Sequence, residues 1–303
     1  MSILVVGSVV YDDLETPAGK RLNVLGGAAT HFSVAASFFS PVSLVGVVGG
    51  DFADDHVAFL KARGVDLSGL EVVPSGRTFR WVGHYLNDIN KAETIDTQLG
   101  VFATFSPKLG SQHREHPYLF LANIHPRLQL EVLSQMHRPR LVAIDTMNYW
   151  ITTERDALQK VIERADLVFV NEGEARQLTG ENNVILAARC LRSWGPTTVV
   201  IKRGEYGALL FSGDEIFSAP GLPLATVVDP TGAGDSFAGG FVGHLARANH
   251  IDQTVLRQAA ICGSCMASFH VEDFGPNRVK TLTQDDIANR YRRFQELTHF
   301  KDI

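Results

Sequence analysis

The chain reads as an α/β protein built on a doubly wound, mostly parallel sheet with a small β insertion, and three observations predict this. Short apolar, β-branched runs alternate with segments of helical period along most of the chain. Several of those runs end in Gly, Asn or Asp, where open α/β sheets hold ligands. Around residues 72–106 the pattern turns to aromatics, Thr and β-branched residues in partial alternation, which predicts antiparallel strands.

In order, residues 3–7 form a buried strand closed by Gly7-Ser8, and Asp12 and Asp13 follow at its far end. A polar excursion containing Pro17 and Gly19 leads to Gly26-Gly27. Ala28, Phe32, Ala35, Ala36 and Phe39 then mark a helix whose small residues allow close packing. A strand at 43–48 ends in Gly49-Gly50, Asp51 caps a helix running to Arg63, and Gly64 stops it. Residues 77–88 and 92–105 read as antiparallel strands turning around Asp88-Ile89-Asn90. This insertion, about 72–106, forms with the excursion at about 13–24 a lid over the cleft.

The alternation then resumes with strands at 118–122, 141–145, 167–170 and 198–202, and a strand at 208–211 whose direction is open. Helices fall at 127–136, 154–164, from 172, and at 187–194, 232–248, 253–269 and 284–297. No repeat, low-complexity tract or linker divides the chain, so residues 1–303 read as one domain.

Composition narrows the class of function. With 45% hydrophobic and 20% charged residues the chain is ordinary for a globular protein. A net charge of −5 argues against nucleic acid as a partner. No apolar run is long enough to span a membrane, and the opening run lacks a basic n-region, so a cytoplasmic protein is expected. Cys262 and Cys265 form a C-x-x-C, but no second ligand pair follows. Their small, apolar neighbours predict packing within a helix. His113, His116, His125 and His137 have no metal-ligand spacing.

The chemistry gathers in Asp229–Phe241, DPTGAGDSFAGGF. An extended approach through Val227 and Val228 meets a Gly-rich turn, and Phe237, Phe241 and Leu245 then form one apolar stripe. The uncovered amides of Gly232, Ala233 and Gly234 lie at the positive end of a helix dipole, a pocket for an anion. A carboxylate there, Asp235, can take a proton from a hydroxyl while a phosphoryl group arrives. Helix-terminus preferences alone explain a lone Gly-x-Gly-Asp equally well. Neither a Walker A motif nor a protein-kinase Gly loop is present, so a nucleotide must be held in another way.

Through Asp229, Thr231, Gly232, Ala233, Gly234, Asp235 and Phe237 the run closely resembles the C-terminal signature of the ribokinase-like (PfkB) carbohydrate kinase family. The resemblance implies a three-layer, doubly wound sheet with a small β lid, and ATP- and Mg²⁺-dependent phosphotransfer to a hydroxyl. It makes Asp235 the general base and the amides of Gly232, Ala233 and Gly234 the cradle for the moving phosphoryl group. It continues in Gly7-Ser8-Val9-Val10-Tyr11-Asp12 and Gly26-Gly27, which would hold the acceptor. Asp12 would accept two sugar hydroxyls with charge-assisted bonds, and the glycines would let the sugar touch main chain. Val10 and His31 stand where ribokinases carry Asn, which leaves sugars, polyols and nucleosides open as acceptors. Asn123, at a C-terminal strand end, is a further candidate contact, as are Asp145 and Asn148.

For the nucleotide, Asn171 and Glu174 match the family's Asn-x-x-Glu, which would organise water around Mg²⁺, although a capping box explains the same spacing. Lys202, Gly204 and Gly207 would pass the phosphates, with Thr231 and Gly275 closing around them. Asp229 would serve Mg²⁺ or, with the 268–277 segment, a monovalent cation such as K⁺. Phe79, Trp81, Tyr85 and Phe102 are aromatics that could face a base in a nucleoside kinase, or join two lids in a homodimer. A catalytically silent sugar-binding regulator is the remaining reading.

Overall fold

Runs such as ILVV and the LVAI that precedes Asp145 have no polar side chain to offer to water on either face, so they become central strands covered on both sides. The computed structural model describes residues 1–301. Its strands are β1 (Ile3–Val6), β2 (Val10–Thr16), β3 (Gly19–Gly26), β4 (Val42–Gly49), β5 (Val65–Val73), β6 (Arg80–His84) and β7 (Glu93–Gln98). They continue with β8 (Tyr118–Leu121), β9 (Leu141–Asp145), β10 (Leu167–Asn171), β11 (Thr198–Lys202), β12 (Ala208–Ser212) and β13 (Glu215–Ala219).

Nine strands form the main sheet in the order β13-β12-β11-β10-β9-β8-β1-β4-β5. It is parallel from β11 to β5, and β12 runs antiparallel between β11 and β13. The chain moves outward from β1 to β4 and β5, then returns to β8 on the other side. A cleft opens beyond the strand ends at such a reversal. A second, four-stranded sheet has the order β3-β2-β6-β7.

Helices cover both faces. On one, Ala28–Ala36, Ala233–Ala248 and Gln253–His270 pack over Phe32, Phe120, Phe169 and Phe241, with Phe32 and Phe120 stacked 4.0 Å apart. Gly239 sets the closest approach there, since a Cβ on it would lie 2.4 Å from the Phe32 carbonyl oxygen. The helix that begins beside Asp235 is thereby seated directly against the helix that follows Gly26-Gly27. Pro126–Gln135, Arg155–Ile162, Glu172–Thr179 and Val184–Ser193 cover the other face.

Several boundaries differ from expectation. Asp51 is not a helix cap. The helix is Asp54–Ala62 with Ala53 at its N-cap, and Asp51 Oδ1 accepts instead from the amide and the hydroxyl of Thr78, both at 2.7 Å. Residues 72–73 finish β5, an edge strand the pattern did not reveal, and Gly100–Thr104 is a 3₁₀ turn. Val101 and Phe105 around that turn belong to the main core. The small sheet therefore takes only 80–84 and 93–98 from the later segment, and a longer hairpin, 10–26, from the earlier one. Strand 208–212 is antiparallel and is followed by β13, also unexpected. Cys262 and Cys265 are buried as packing residues within Gln253–His270, where burial pushes the Cys262 thiol up to about 12. No described helix is long and apolar enough to cross a membrane.

Candidate active site

β2 has both neighbours in the small sheet, and its side chains alternate across it. Asp12 is buried, 4% exposed, while Asp13 points the other way to Arg80 Nη1 at 2.7 Å. Gly26, paired across from Val10, leaves the space that the Asp12 carboxyl fills: a Cβ there would lie 1.9 Å from Oδ2. Gly27 has φ 99°, and a Cβ on it would meet the Ser8 carbonyl oxygen at 2.4 Å. The two glycines thus have separate tasks, one admitting a carboxyl and the other a tight chain crossing.

The 229–235 turn lies opposite. Asp229 is fully buried and bridges backbone, its Oδ1 accepting from the Thr231 amide and its Oδ2 from the Gly275 amide, both at 2.9 Å. Gly232 takes φ 81° and presses on the His31 ring, 2.2 Å from an added Cβ. The Ala233 amide donates to the Pro230 carbonyl at 3.1 Å, closing the turn. That corrects the expected cradle: Ala233 does not offer its N–H to an anion. The amides of Gly232 and Gly234 have no acceptor among the described residues and remain at the helix's positive end.

Asp235 begins this helix beside a second cluster. Lys202, at the end of β11, lies 3.0 Å from where a Gly234 Cβ would be and donates to Asp145 Oδ2 at 2.5 Å. Burial, and then the Asp145 charge, push the Asp235 carboxyl up to about 7 against the opposing pull of Lys202. Glu174 is likewise pushed up to about 7 by burial, with Lys202 pulling the other way. Burial foremost, then Asp229, Asp235 and Asp13, raise Asp12 well above the usual carboxylate range. Lys202 is therefore the countercharge of an acidic cluster, with Asp145 holding one of its three donors.

Other sequence-derived candidates divide. Asn171 and Glu174 do form the reciprocal capping box, at 2.8 and 2.7 Å, which leaves Glu174 a second carboxyl oxygen. Gly204 has φ 56° and faces Asn90 of the β6–β7 turn, 3.1 Å from an added Cβ. Gly207 lies beneath the end of β13, where a Cβ would meet the Ala219 carbonyl oxygen at 2.1 Å, a close approach that shapes the hairpin. Gly275 packs on Val24 of β3, and the Thr231 hydroxyl donates to Tyr85 at 3.1 Å. Asn123 Oδ1 accepts from Trp150 Nε1 at 3.0 Å. Each Asp229 oxygen already accepts one backbone amide, which ties the carboxylate into the turn and leaves it one further lone pair on each oxygen for a cation. Among the described residues no three His, Cys, Asp or Glu side chains converge as metal ligands. Mg²⁺ fits such a site only when phosphates and water supply most of its oxygens, with Glu174 at the edge.

His31 is 3% exposed and neither ring nitrogen has a partner; burial holds it neutral. Of the residues that join the turn from other elements, the sequence places His270 only within the 268–277 segment of the implied cation site and Tyr85 only among the lid aromatics. Nothing local in the sequence pairs either with Thr231.

A carboxyl base beside unpartnered amides, at the reversal of a doubly wound sheet, defines a phosphotransferase acting on small hydroxyl compounds. Residues 3–281 match the pfkB family carbohydrate kinases, and the chain belongs to that family. A cytidine kinase from Thermococcus kodakarensis is 33% identical over 266 residues, covering 84% of this chain and 92% of the relative. A nucleoside kinase from Methanothermobacter thermautotrophicus is 25% identical, covering 90% of each. Among solved structures, Salmonella enterica aminoimidazole riboside kinase, complexed with its riboside and an ATP analogue, superposes with TM-score 0.75 at 22% identity, over 96% of this chain and 100% of the other. The inosine-bound nucleoside kinase of Burkholderia thailandensis gives 0.73 at 19% identity, over 96% and 98%. The protein is an ATP-dependent kinase of sugar-like hydroxyl compounds.

Proposed function

We propose that the acceptor is a nucleoside, phosphorylated on a hydroxyl of its sugar. The observation that carries this reading is the shared face of Asp12 and Trp81. Asp12 pairs with Trp81 in the parallel β2–β6 register, so both side chains leave the same side of the small sheet. Gly83 lies two residues on, and a Cβ there would lie 2.2 Å from the Trp81 ring. The indole therefore lies flat along the inner face, a stacking plane next to a carboxyl that accepts a diol. Of the other aromatics, Tyr85 binds Thr231, while Phe79 and Phe102 pack on each other 5.5 Å apart.

In this reading His31 offers its unpartnered nitrogens to the sugar, and Asp235 takes the proton of the attacking hydroxyl. ATP supplies the phosphoryl group, and Mg²⁺ travels with it, with Glu174 and Gly204 nearest the nucleotide. The Gly232 and Gly234 amides meet the charge that develops on the phosphoryl oxygens. The cytidine kinase relative supports the nucleoside choice and names cytidine as the first compound to try. The small sheet acts as a lid: it is tied down through Thr16 to the Val228 carbonyl at 2.8 Å and through Tyr85 to Thr231. An ATP-using kinase of this kind belongs in the cytoplasm.

Trp81→Ala is expected to raise KM for cytidine by about 5- to 150-fold, the worth of one base stack, while phosphorylation of free ribose changes little. An ADP-release assay across nucleosides, sugars and polyols checks this. Equal losses for ribose and cytidine would remove the stacking plane, and turnover of sugars alone would remove the nucleoside reading. The exposed β7, with Ile95 61% exposed, supports a second copy docking lid to lid. Sedimentation should then give a dimer that Ile95→Lys dissociates; a monomeric wild type would refute it.

A further inference from the structure

The cation site implied between Asp229 and the 268–277 segment already holds a donor of the chain's own, His270, on the carbonyl of the catalytic turn. Each Asp229 oxygen holds one backbone amide, so the carboxylate is fixed to the turn. The Val271 carbonyl accepts from Val228 at 2.8 Å, the Phe269 carbonyl from Glu272 and the Phe274 carbonyl from Asn277. The Glu272 carboxylate is bound by Arg278 and Arg290. One carbonyl of the catalytic turn does point into this region, that of Thr231, and His270 Nε2 meets it at 2.5 Å.

A carbonyl only accepts, so Nε2 carries the proton and Nδ1 is left to accept from the Ser236 hydroxyl at 3.1 Å. The ring is 1% exposed and edge-on to His31, with centroids 4.7 Å apart. Burial lowers its pKa, which favours the neutral ring with this single tautomer. The peptide unit between Thr231 and Gly232 is planar and trans, so its C=O and N–H point in opposite directions. A donor fixed on the Thr231 oxygen therefore fixes the direction of the Gly232 amide, one of the two left for the phosphoryl group. We propose that His270 stands in for the monovalent cation: it holds the Thr231–Gly232 peptide so that the Gly232 N–H faces the transferring phosphoryl group, and phosphotransfer needs no monovalent ion. His270 is a positioning residue in this account. The inference rests on the phosphotransfer reading and is independent of which acceptor is used.

The test compares wild type, His270→Ala and His270→Gln with potassium, sodium or tetramethylammonium as the only monovalent cation, reading ADP release and melting temperature. Wild type is expected to turn over equally, and to melt at the same temperature, in all three salts. His270→Ala should lower kcat about 10- to 100-fold with KM for ATP and acceptor nearly unchanged, a loss below that of deleting an oxyanion donor outright. His270→Gln, whose amide N–H can reach the same carbonyl, should recover most of it. Potassium-specific stimulation or a potassium-specific rise in melting temperature of the wild type would overturn the proposal. So would a folded Ala variant with wild-type kcat, or a folded Gln variant no better than Ala. If wild type releases no ADP in any salt, the phosphotransfer reading itself fails, and the melting series still decides whether the ion binds.

Discussion

Asp235→Asn is expected to lower kcat by about 10²- to 10⁴-fold, the range for losing a general base, while cytidine binding by calorimetry stays near wild type. The variant keeps the shape of the helix start and both unpartnered amides, so only proton acceptance is removed. The same group sets the pH profile. Burial, with Asp145 assisting, raises the Asp235 pKa to about 7, so the carboxylate base accumulates as pH rises through that value. kcat/KM should therefore climb from acid to neutral pH and level off above it. Glu174 is raised to the same region, so the limb reports the pair rather than one site. Lys202→Met removes the nearest countercharge and should move the limb to higher pH. A limb left in place would show that the Lys202–Asp145 pair does not govern the base.

Asp12→Asn should cut kcat/KM for the acceptor by about 10²- to 10⁴-fold, since two hydrogen bonds to a charged group are each worth roughly 1.5–3 kcal/mol. The same substitution should stabilise the ligand-free protein at alkaline pH. Burial, helped by Asp229, Asp235 and Asp13, raises the Asp12 pKa in the fold, so the native state holds a proton that the unfolded chain has released. Such a group favours folding below the carboxyl's ordinary pKa, and that contribution disappears as pH rises through the raised value. Asn has no proton to lose. Melting curves should show the variant gaining on wild type as pH increases, and a variant that melts lower at every pH would contradict this. A residue that binds substrate at a cost in stability is what a cleft lined with carboxyls requires.

The sequence made parts of this legible for physical reasons. The main strands β1, β8, β9, β10 and β11 have cores that are apolar on both faces, with polar residues only at the ends of β9, β10 and β11, so each declares itself without help from its neighbours. β5 is an edge strand carrying Asp66, Ser68 and Gly69 and half open to water, so its pattern resembles a loop. The Asp229–Phe241 run was readable because a turn, a helix start and an apolar stripe fall within thirteen consecutive residues. Asp51 misled because its partner, Thr78, is brought to it by the fold and not by the local chain. The Lys202–Asp145 pair, the Tyr85–Thr231 bond and the His270–Thr231 bond join residues from different elements, and no spacing rule reaches them. Ala233 shows the limit within a motif, since which amide of a Gly-rich turn is left over depends on how the turn closes.

The most direct measurement is a single-turnover experiment with γ-labelled ATP, Mg²⁺ and cytidine, run on wild type and Asp235→Asn under saturating conditions. The account predicts label on the nucleoside in step with ADP formation in the wild type, and almost none in the variant although it binds both ligands. Label transfer by Asp235→Asn at a rate close to wild type would contradict it.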